Sequence, residues 1–290
     1  MSRVVREERV SNPPGGFRRR STWSPNDISW GEFDSTKVDP DILKAIKGAC
    51  MVEHHSDDYV TYLCSVFHDD ESFQSEARAW GIEEVQHGIV LRRWCELADP
   101  DFDFDHSFRK FTAGHILPLD SNHSVRGSRT KELIARCIVE VGTSSFYSAI
   151  RDASDEPVLQ DICRRIAGDE FRHYKLFYAN MKRYRSREAL GFFTGLAVAL
   201  TRLLESSDDE LAYAYYCGNR PPEPYKRRYH GRAYARRTLP LYQRAHVERA
   251  IMMTLKAAGL RPQSILGRWL THAGGLVFRL NAWSLTLARN

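Results

Sequence analysis

Two Glu-x-x-His runs, each preceded about thirty residues earlier by an isolated Glu, restrict this chain more than any other feature. Glu84 and His87 form one run, Glu170 and His173 the other, and no other histidine has Glu three residues before it. Glu53 precedes the first run by 31 residues and Glu140 precedes the second by 30. Positions three apart share a face of an α-helix, so each run aims a carboxylate and an imidazole the same way. One such run is what chance supplies in a sequence with eleven histidines. Two, both inside long helical patterns and both with the upstream Glu, read as a duplicated helix hairpin with half a metal site in each copy.

The upstream acids stand in apolar surroundings. Glu140 lies within Ile138-Val139-Glu140-Val141-Gly142, on a stripe with Leu133, Cys137, Ser144 and Tyr147. Glu53 shares a stripe with Ile46, Ala49, Val60 and Cys64, although His54 and His55 follow it and a one-residue slip of the inward face is open. A lone carboxylate on a buried stripe is costly unless it is paired or bound to metal. Glu53, Glu84, His87, Glu140, Glu170 and His173 therefore form a candidate ligand set. Four carboxylates and two imidazoles suit two iron ions, with manganese also allowed, and need no thiolate. The competing reading is a set of solvated helix acids, which the paired spacing disfavours.

The rest of the chain is predicted to be all-α. Asp39-Pro40 caps a helix running from Ile42 to Phe67. Asp69, Asp70 and Glu71 open a second helix reaching Ala98. Asp99 to Arg126, with Pro100, Gly114 and Pro118, is a long polar crossover. A third helix spans Arg129 to Asp152, and Asp155-Glu156-Pro157 opens a fourth that ends near Arg185. No alternating β-branched runs appear. Four long helices with one crossover make a four-helix bundle. Further helices follow at Leu190 to Leu204, after a Ser207–Glu210 capping box, and at Ile265 to Ala288.

This reading divides the chain into a flexible basic tail (1–27), a bundle (28–185) and a basic helical C-terminal extension (186–290). From Gly218 onward there are fourteen Lys and Arg against two acids, a net +12, which leaves −7 for the residues before it. Basic side chains interleave with Tyr225, Tyr229 and Tyr234, which fits an acidic protein or an anionic membrane surface, or simply a basic helix packed on the acidic bundle. Nucleic acid is the disfavoured partner. Asp99, Asp101, Asp103 and Asp105 alternate, but His106 and Thr112 occupy the positions where a calcium loop needs Gly and Glu, so they read as a solvated loop. His230, His246 and His272 lack ligand-spaced partners. The six cysteines form no C-x-x-C pair and read as free thiols. No apolar leader or uninterrupted membrane-spanning run is evident, so the expected location is the cytoplasm, peripheral to a membrane at most.

The motifs resemble those of the ferritin-like superfamily of di-iron carboxylate proteins, and most of all the soluble acyl-carrier-protein desaturases. Those enzymes carry Trp-x-x-Glu-Glu-x-x-His-Gly, matched here by Trp80, Glu83, Glu84, His87 and Gly88. Their second half carries Asp-Glu-x-Arg-His, matched by Asp169, Glu170, Arg172 and His173, and a Thr three residues after the lone Glu, matched by Thr143. The resemblance covers roughly Asp39 to Arg185 and leaves the C-terminal third unmatched. It implies Glu84 and Glu170 as bridging ligands. It implies Glu83 and Asp169 as acids that orient the histidines and Thr143 beside the oxygen-binding side; the alternative for Thr143 is a helix Thr bonding back to a carbonyl, and Trp80 reads equally as core packing or as a residue beside the metals.

The function so implied is an O₂-dependent di-iron oxidoreductase, a desaturase or oxygenase acting on an acyl or other lipophilic substrate. The sequence shows no flavin or iron–sulfur signature, so an external ferredoxin or reductase must supply electrons. An acyl carrier protein is the implied substrate carrier, and a homodimer is compatible. The alternatives are a ferroxidase that handles iron without an organic substrate, and a binding protein whose two metals are structural.

Overall fold

Helix starts are marked by side-chain caps, and these fix where each face bearing the paired acids and histidines begins. The computed structural model describes residues 23–117, 119, 121–188, 192–205 and 209–287. Asp39 accepts from the amides of Asp41 and Ile42 and opens α1 (Pro40–His54). After a turn at His55 comes α2 (Ser56–Val66). Asp70 accepts from Phe73 N and opens α3 (Glu71–Ala98). Ser128 accepts from Lys131 N and opens α5 (Arg129–Ala153), which follows α4 (Phe104–Gly114). Glu156 accepts from the amides of Val158 and Leu159 and from Trp94 Nε1, anchoring the start of α6 (Pro157–Glu188). Each cap satisfies amides that a helix start otherwise leaves without partners.

Five helices follow: α7 (Phe192–Glu205), α8 (Asp209–Asn219), α9 (Arg227–Thr238), α10 (Arg244–Ala258) and α11 (Ile265–Leu287). Among the described residues all regular structure is helical, with no strand. The sequence-expected bundle consists of α1 and α2 against α3, α5 against α6, and α3 against α6.

Three expectations change. The first helix is two, because the chain turns at His55 (φ −89, ψ 10) and restarts with the acidic first turn Asp57-Asp58. The turn resets the phase of the stripe: Ile46 and Ala49 are buried as expected, but in α2 the buried apolar residues are Tyr62, Leu63 and Val66, with Val60 and Cys64 only half-buried. The crossover is not wholly irregular, since it contains α4. Its acids are used locally: Asp103 accepts from His106 N to cap α4, and Asp99 pairs with buried Lys47.

The proposed division at residues 185/186 is not a boundary in packing. One apolar cluster joins Ile46, Trp94, Tyr147 and Ile162 to Ala214 and Cys217 of α8. A second joins Phe73, Ile134 and Phe177 to Ala199 of α7 and Ala257 of α10. The apolar faces of these later helices are buried against the bundle, which is what makes them fold there. The expected tail also ends sooner. Residues 1–22 lie outside the described residues, but Trp23 is buried and Pro25–Asp27 forms a 3₁₀ turn on the bundle. Ser207 of the expected capping box and Ala288 likewise lie outside the described residues. Among the described helices α5 alone is long and apolar enough to cross a membrane, and 78% of that apolar window is buried within the bundle, as in a core helix.

The two apolar clusters matter for function because of what separates them. In α3 one contains Phe73, Ala77 and Trp80 and the other Val90, Leu91 and Trp94. In α6 one contains Tyr174 and Phe177 and the other Ile162 and Ile166. The layer between is where the sequence places its buried acids and histidines.

Candidate metal centre

The polar layer gathers six side chains from α1, α3, α5 and α6. Glu53, Glu84, His87 and Glu170 form one group of donor atoms all within 4.8 Å of one another, and Glu84, Glu140, Glu170 and His173 form a second. The groups share Glu84 and Glu170. None of the six residues is more than 8% exposed. His87 Nδ1 lies 3.2 Å from Glu170 Oε1 and 3.6 Å from Glu53 Oε2. His173 Nδ1 lies 2.9 Å from Glu84 Oε1, 3.7 Å from Glu140 Oε2 and 3.8 Å from Glu170 Oε2. The two imidazole centroids are 5.8 Å apart.

The outer edges of the imidazoles are held by acids from the opposite half of the bundle. His87 Nε2 is 3.2 Å from Asp169 Oδ2, and His173 Nε2 is 2.8 Å from Glu83 Oε2. Arg172 donates to both acids, at 2.5 Å to Asp169 Oδ1 and 3.1 Å to Glu83 Oε2. Such partners fix the ring and leave the other nitrogen free for a ligand. Here the free nitrogen is Nδ1 in both, and it faces the middle of the cluster.

Five buried atoms then have no partner in hydrogen-bonding geometry: Glu53 Oε2, Glu84 Oε1, His87 Nδ1, Glu170 Oε1 and His173 Nδ1. Buried polar atoms are rarely left so. All five belong to residues of the two donor groups, which could hold a metal ion between them. Charge leads to the same conclusion. Burial, then the charges of Glu170 and Glu53, hold the Glu84 carboxyl well above the usual carboxylate range. Burial and the Glu170 charge push Glu140 up to about 8. Burial disfavours charge on His87 and His173, but their carboxylate partners outweigh it and raise both. Burial also opposes ionisation of Glu170, yet the flanking imidazoles hold it well below the usual range. Without metal the raised values of Glu84, Glu140, His87 and His173 favour protons within the cluster. Two divalent cations would replace them with four carboxylates and two neutral imidazoles, leaving no net charge. The residues fit a pair of metal ions.

Of the other sequence-predicted residues, Thr143 donates to Glu170 Oε2 at 2.7 Å and also reaches the carbonyls of Val139 and Glu140. Trp80 packs edge-on to His173, with centroids 6.5 Å apart, and against Phe177; it touches no donor atom of the cluster by hydrogen bond, and its Nε1 is buried without a partner. The consecutive residues after Glu53 diverge: His54 turns back to the Cys50 carbonyl, and His55 pairs with Asp58 away from the cluster.

Sequence reading missed two residues. Tyr147 donates to Glu53 Oε1 at 2.5 Å and is buried. Its signal was present, since it lies on the Glu140 stripe two turns later. Trp23 donates to Asp169 Oδ2 at 2.9 Å, and its ring lies parallel to that of His87. No periodicity marks it, because it stands alone at the end of a polar, Arg-rich stretch.

No protein-family model and no curated protein matches this chain.

The orienting acids carry a direct consequence. Asp169→Asn removes the charge that holds the His87 ring and is expected to weaken metal affinity by about 10- to 100-fold. Competition with a chromophoric chelator measures this; affinity equal to that of the wild type would show that Asp169 plays no part in holding metal.

Proposed function

We propose that the protein is an O₂-dependent di-iron oxidoreductase on a ferritin-like bundle, acting as a desaturase or oxygenase on an acyl or other lipophilic chain. The observation that carries this reading is the pair of buried donor groups sharing Glu84 and Glu170, with their unpartnered atoms convergent. Glu53 and His87 would hold one ion, Glu140 and His173 the other, and Glu84 and Glu170 both. Four carboxylates with two imidazoles and no thiolate are a donor set that suits iron or manganese. When bound, two iron ions supply the activation of O₂.

The protein's own residues supply placement and dryness. The apolar clusters above and below the layer exclude water. Thr143 is half-buried, and Gly142 beside it is exposed with nothing within 4 Å of where a side chain would begin. That gap on α5 supports the approach of substrate on the Thr143 side. The hydroxyl on Glu170 Oε2 is placed to hold a proton there or pass it on. Two surface clefts of about 710 Å³, around Arg164 and around Arg232, share no residue with the cluster.

Electrons come from an external ferredoxin or reductase in this reading. α11 carries no Asp or Glu and exposes Trp269, Val277 and Leu280, next to a basic α9. That surface supports delivery of substrate from an anionic source, an acyl carrier protein or a membrane. Anaerobic ferrous loading followed by an oxygen pulse tests the function. Two irons per chain, a fast transient visible absorbance without mineral growth, and oxidised product from carrier-bound or vesicle-dispersed acyl chains are expected. Continued iron uptake into mineral would indicate iron handling instead, and a loaded site inert to oxygen would indicate a structural one.

A further inference from the structure

A second group of convergent donors lies outside the bundle layer. His55 is the residue that ends α1, His115 the residue that ends α4, and Glu210 stands in the first turn of α8. One donor atom from each lies within 4.8 Å of the others, and none is shared with the first cluster. His115 Nε2 is 3.4 Å from Glu210 Oε1. The rings of His55 and His115 are 5.7 Å apart and nearly perpendicular, at 71°.

Each inner atom is shielded from solvent and has no hydrogen-bond partner: His55 Nδ1, His115 Nε2 and Glu210 Oε1. His55 as a whole is 6% exposed. The outer atoms of His55 and Glu210, by contrast, are engaged. His55 Nε2 pairs with Asp58 Oδ2 at 2.9 Å. Glu210 Oε2 accepts from Tyr59 Oη at 2.7 Å. His115 stacks flat on Phe111, which also meets the edge of His55. Orienting hydrogen bonds outside, unsatisfied donors inside and an aromatic wall around are how a protein builds a cation site rather than a loose polar contact. The nearby cation Arg136 stands over the far partner Tyr59, 4.5 Å from its ring, and is paired with Glu132. The acids Glu210 and Asp58 leave the pocket able to offset a divalent charge.

We propose that His55, His115 and Glu210 bind one divalent transition-metal ion of the zinc type, separate from the two-metal centre. Two imidazoles and one carboxylate are a zinc donor set that leaves a position for water. The ion joins three chain segments that sequence separates widely: the α1–α2 turn, the end of α4 and the start of α8. Its role is to clamp the crossover and the C-terminal layer onto the bundle, at a turn two residues from Glu53. This also explains why the first helix breaks at His55 with neither Gly nor Pro there: the turn swings the imidazole out of the bundle stripe and into this group.

The test uses full-length protein stripped of metal and titrated with zinc alone. Wild type is expected to retain, after dialysis, one more zinc per chain than either His115→Ala or Glu210→Gln. Retention of the remaining equivalents in the variants reports that the bundle is folded. A second readout needs no variant: zinc at ten times its dissociation constant is expected to slow modification of His115 by diethyl pyrocarbonate about tenfold in the wild type. Equal zinc counts in either variant, or unchanged modification of His115, overturns the proposal. Neither measurement depends on iron or oxygen, so it stands or falls apart from the oxidative reading.

Discussion

Glu170→Ala is expected to take the iron-loaded protein from two ions per chain to fewer than one, and oxidative turnover to fall by on the order of 10³-fold or more. The asymmetry with its neighbours is the informative part. Glu170 belongs to both donor groups, faces both inner imidazole nitrogens and receives the Thr143 hydroxyl. Its loss therefore strips a ligand from both positions at once. Glu140 belongs to the second group only. Glu140→Ala is expected to keep one ion, held by Glu53, Glu84, His87 and Glu170, and to lose turnover nearly as completely, because two ions are needed to act together. Metal counting on purified protein separates the cases. Two ions bound by Glu170→Ala would show that the carboxylate is not shared and would remove the basis for a coupled pair.

How much of this was legible in the sequence depended on periodicity. The layer of buried acids and histidines was readable because α3, α5 and α6 run unbroken through it, so that spacing by three and by about thirty maps directly onto faces. Glu83, Asp169 and Arg172 were readable as part of the same runs, although which acid holds which histidine was not: the pairing crosses between halves, and nothing within one helix encodes that. The stripe was right up to Glu53 and wrong after it. The turn at His55 is bridged by no Gly or Pro, and its sign was the weaker one of Ser56-Asp57-Asp58, an acidic helix start hidden inside an otherwise helical pattern. Trp23 was illegible, since a single aromatic in a polar stretch finds its place only through tertiary contact. Of the later helices α7, α8 and α11 were seen as helices, whereas α9 and α10 lie in a stretch read only as basic, aromatic and broken at Pro240. That apolar faces of these later helices join the two bundle clusters was not seen, because amphipathicity says that a face must be covered and not by what.

The metal-free protein is expected to lose stability as pH rises from about 6 to 8, the reverse of what acid-sensitive carboxylates usually produce, and metal is expected to reverse it. The sign follows from which state holds protons more tightly. Glu84 and Glu140 have folded values raised above those of the unfolded chain, Glu140 to about 8, so between the two values the folded state binds more protons and stability falls with rising pH. His87 and His173 are also raised, so what they contribute is complete below the ordinary imidazole value and is lost as pH climbs through their folded values. Glu170 works in the opposite sense, since its lowered value gives stability above the ordinary carboxylate range that is lost only on acidification. Metal-free stability therefore falls once pH passes the ordinary carboxylate range, and the melting temperature is expected to drop by about 5 °C or more between pH 6 and 8. Bound metal requires ionised carboxylates and neutral imidazoles, so binding releases protons and tightens with pH. The gain in melting temperature on adding metal should accordingly grow over the same interval. Glu140→Gln, which imitates the protonated acid, should flatten the metal-free slope while weakening the metal response. Thermal unfolding in chelator and in metal across this range tests all three statements; a metal-free melting temperature that stays level or rises with pH would mean that the buried layer does not store these protons, and that its charge is balanced by some means other than the exchange of protons for metal.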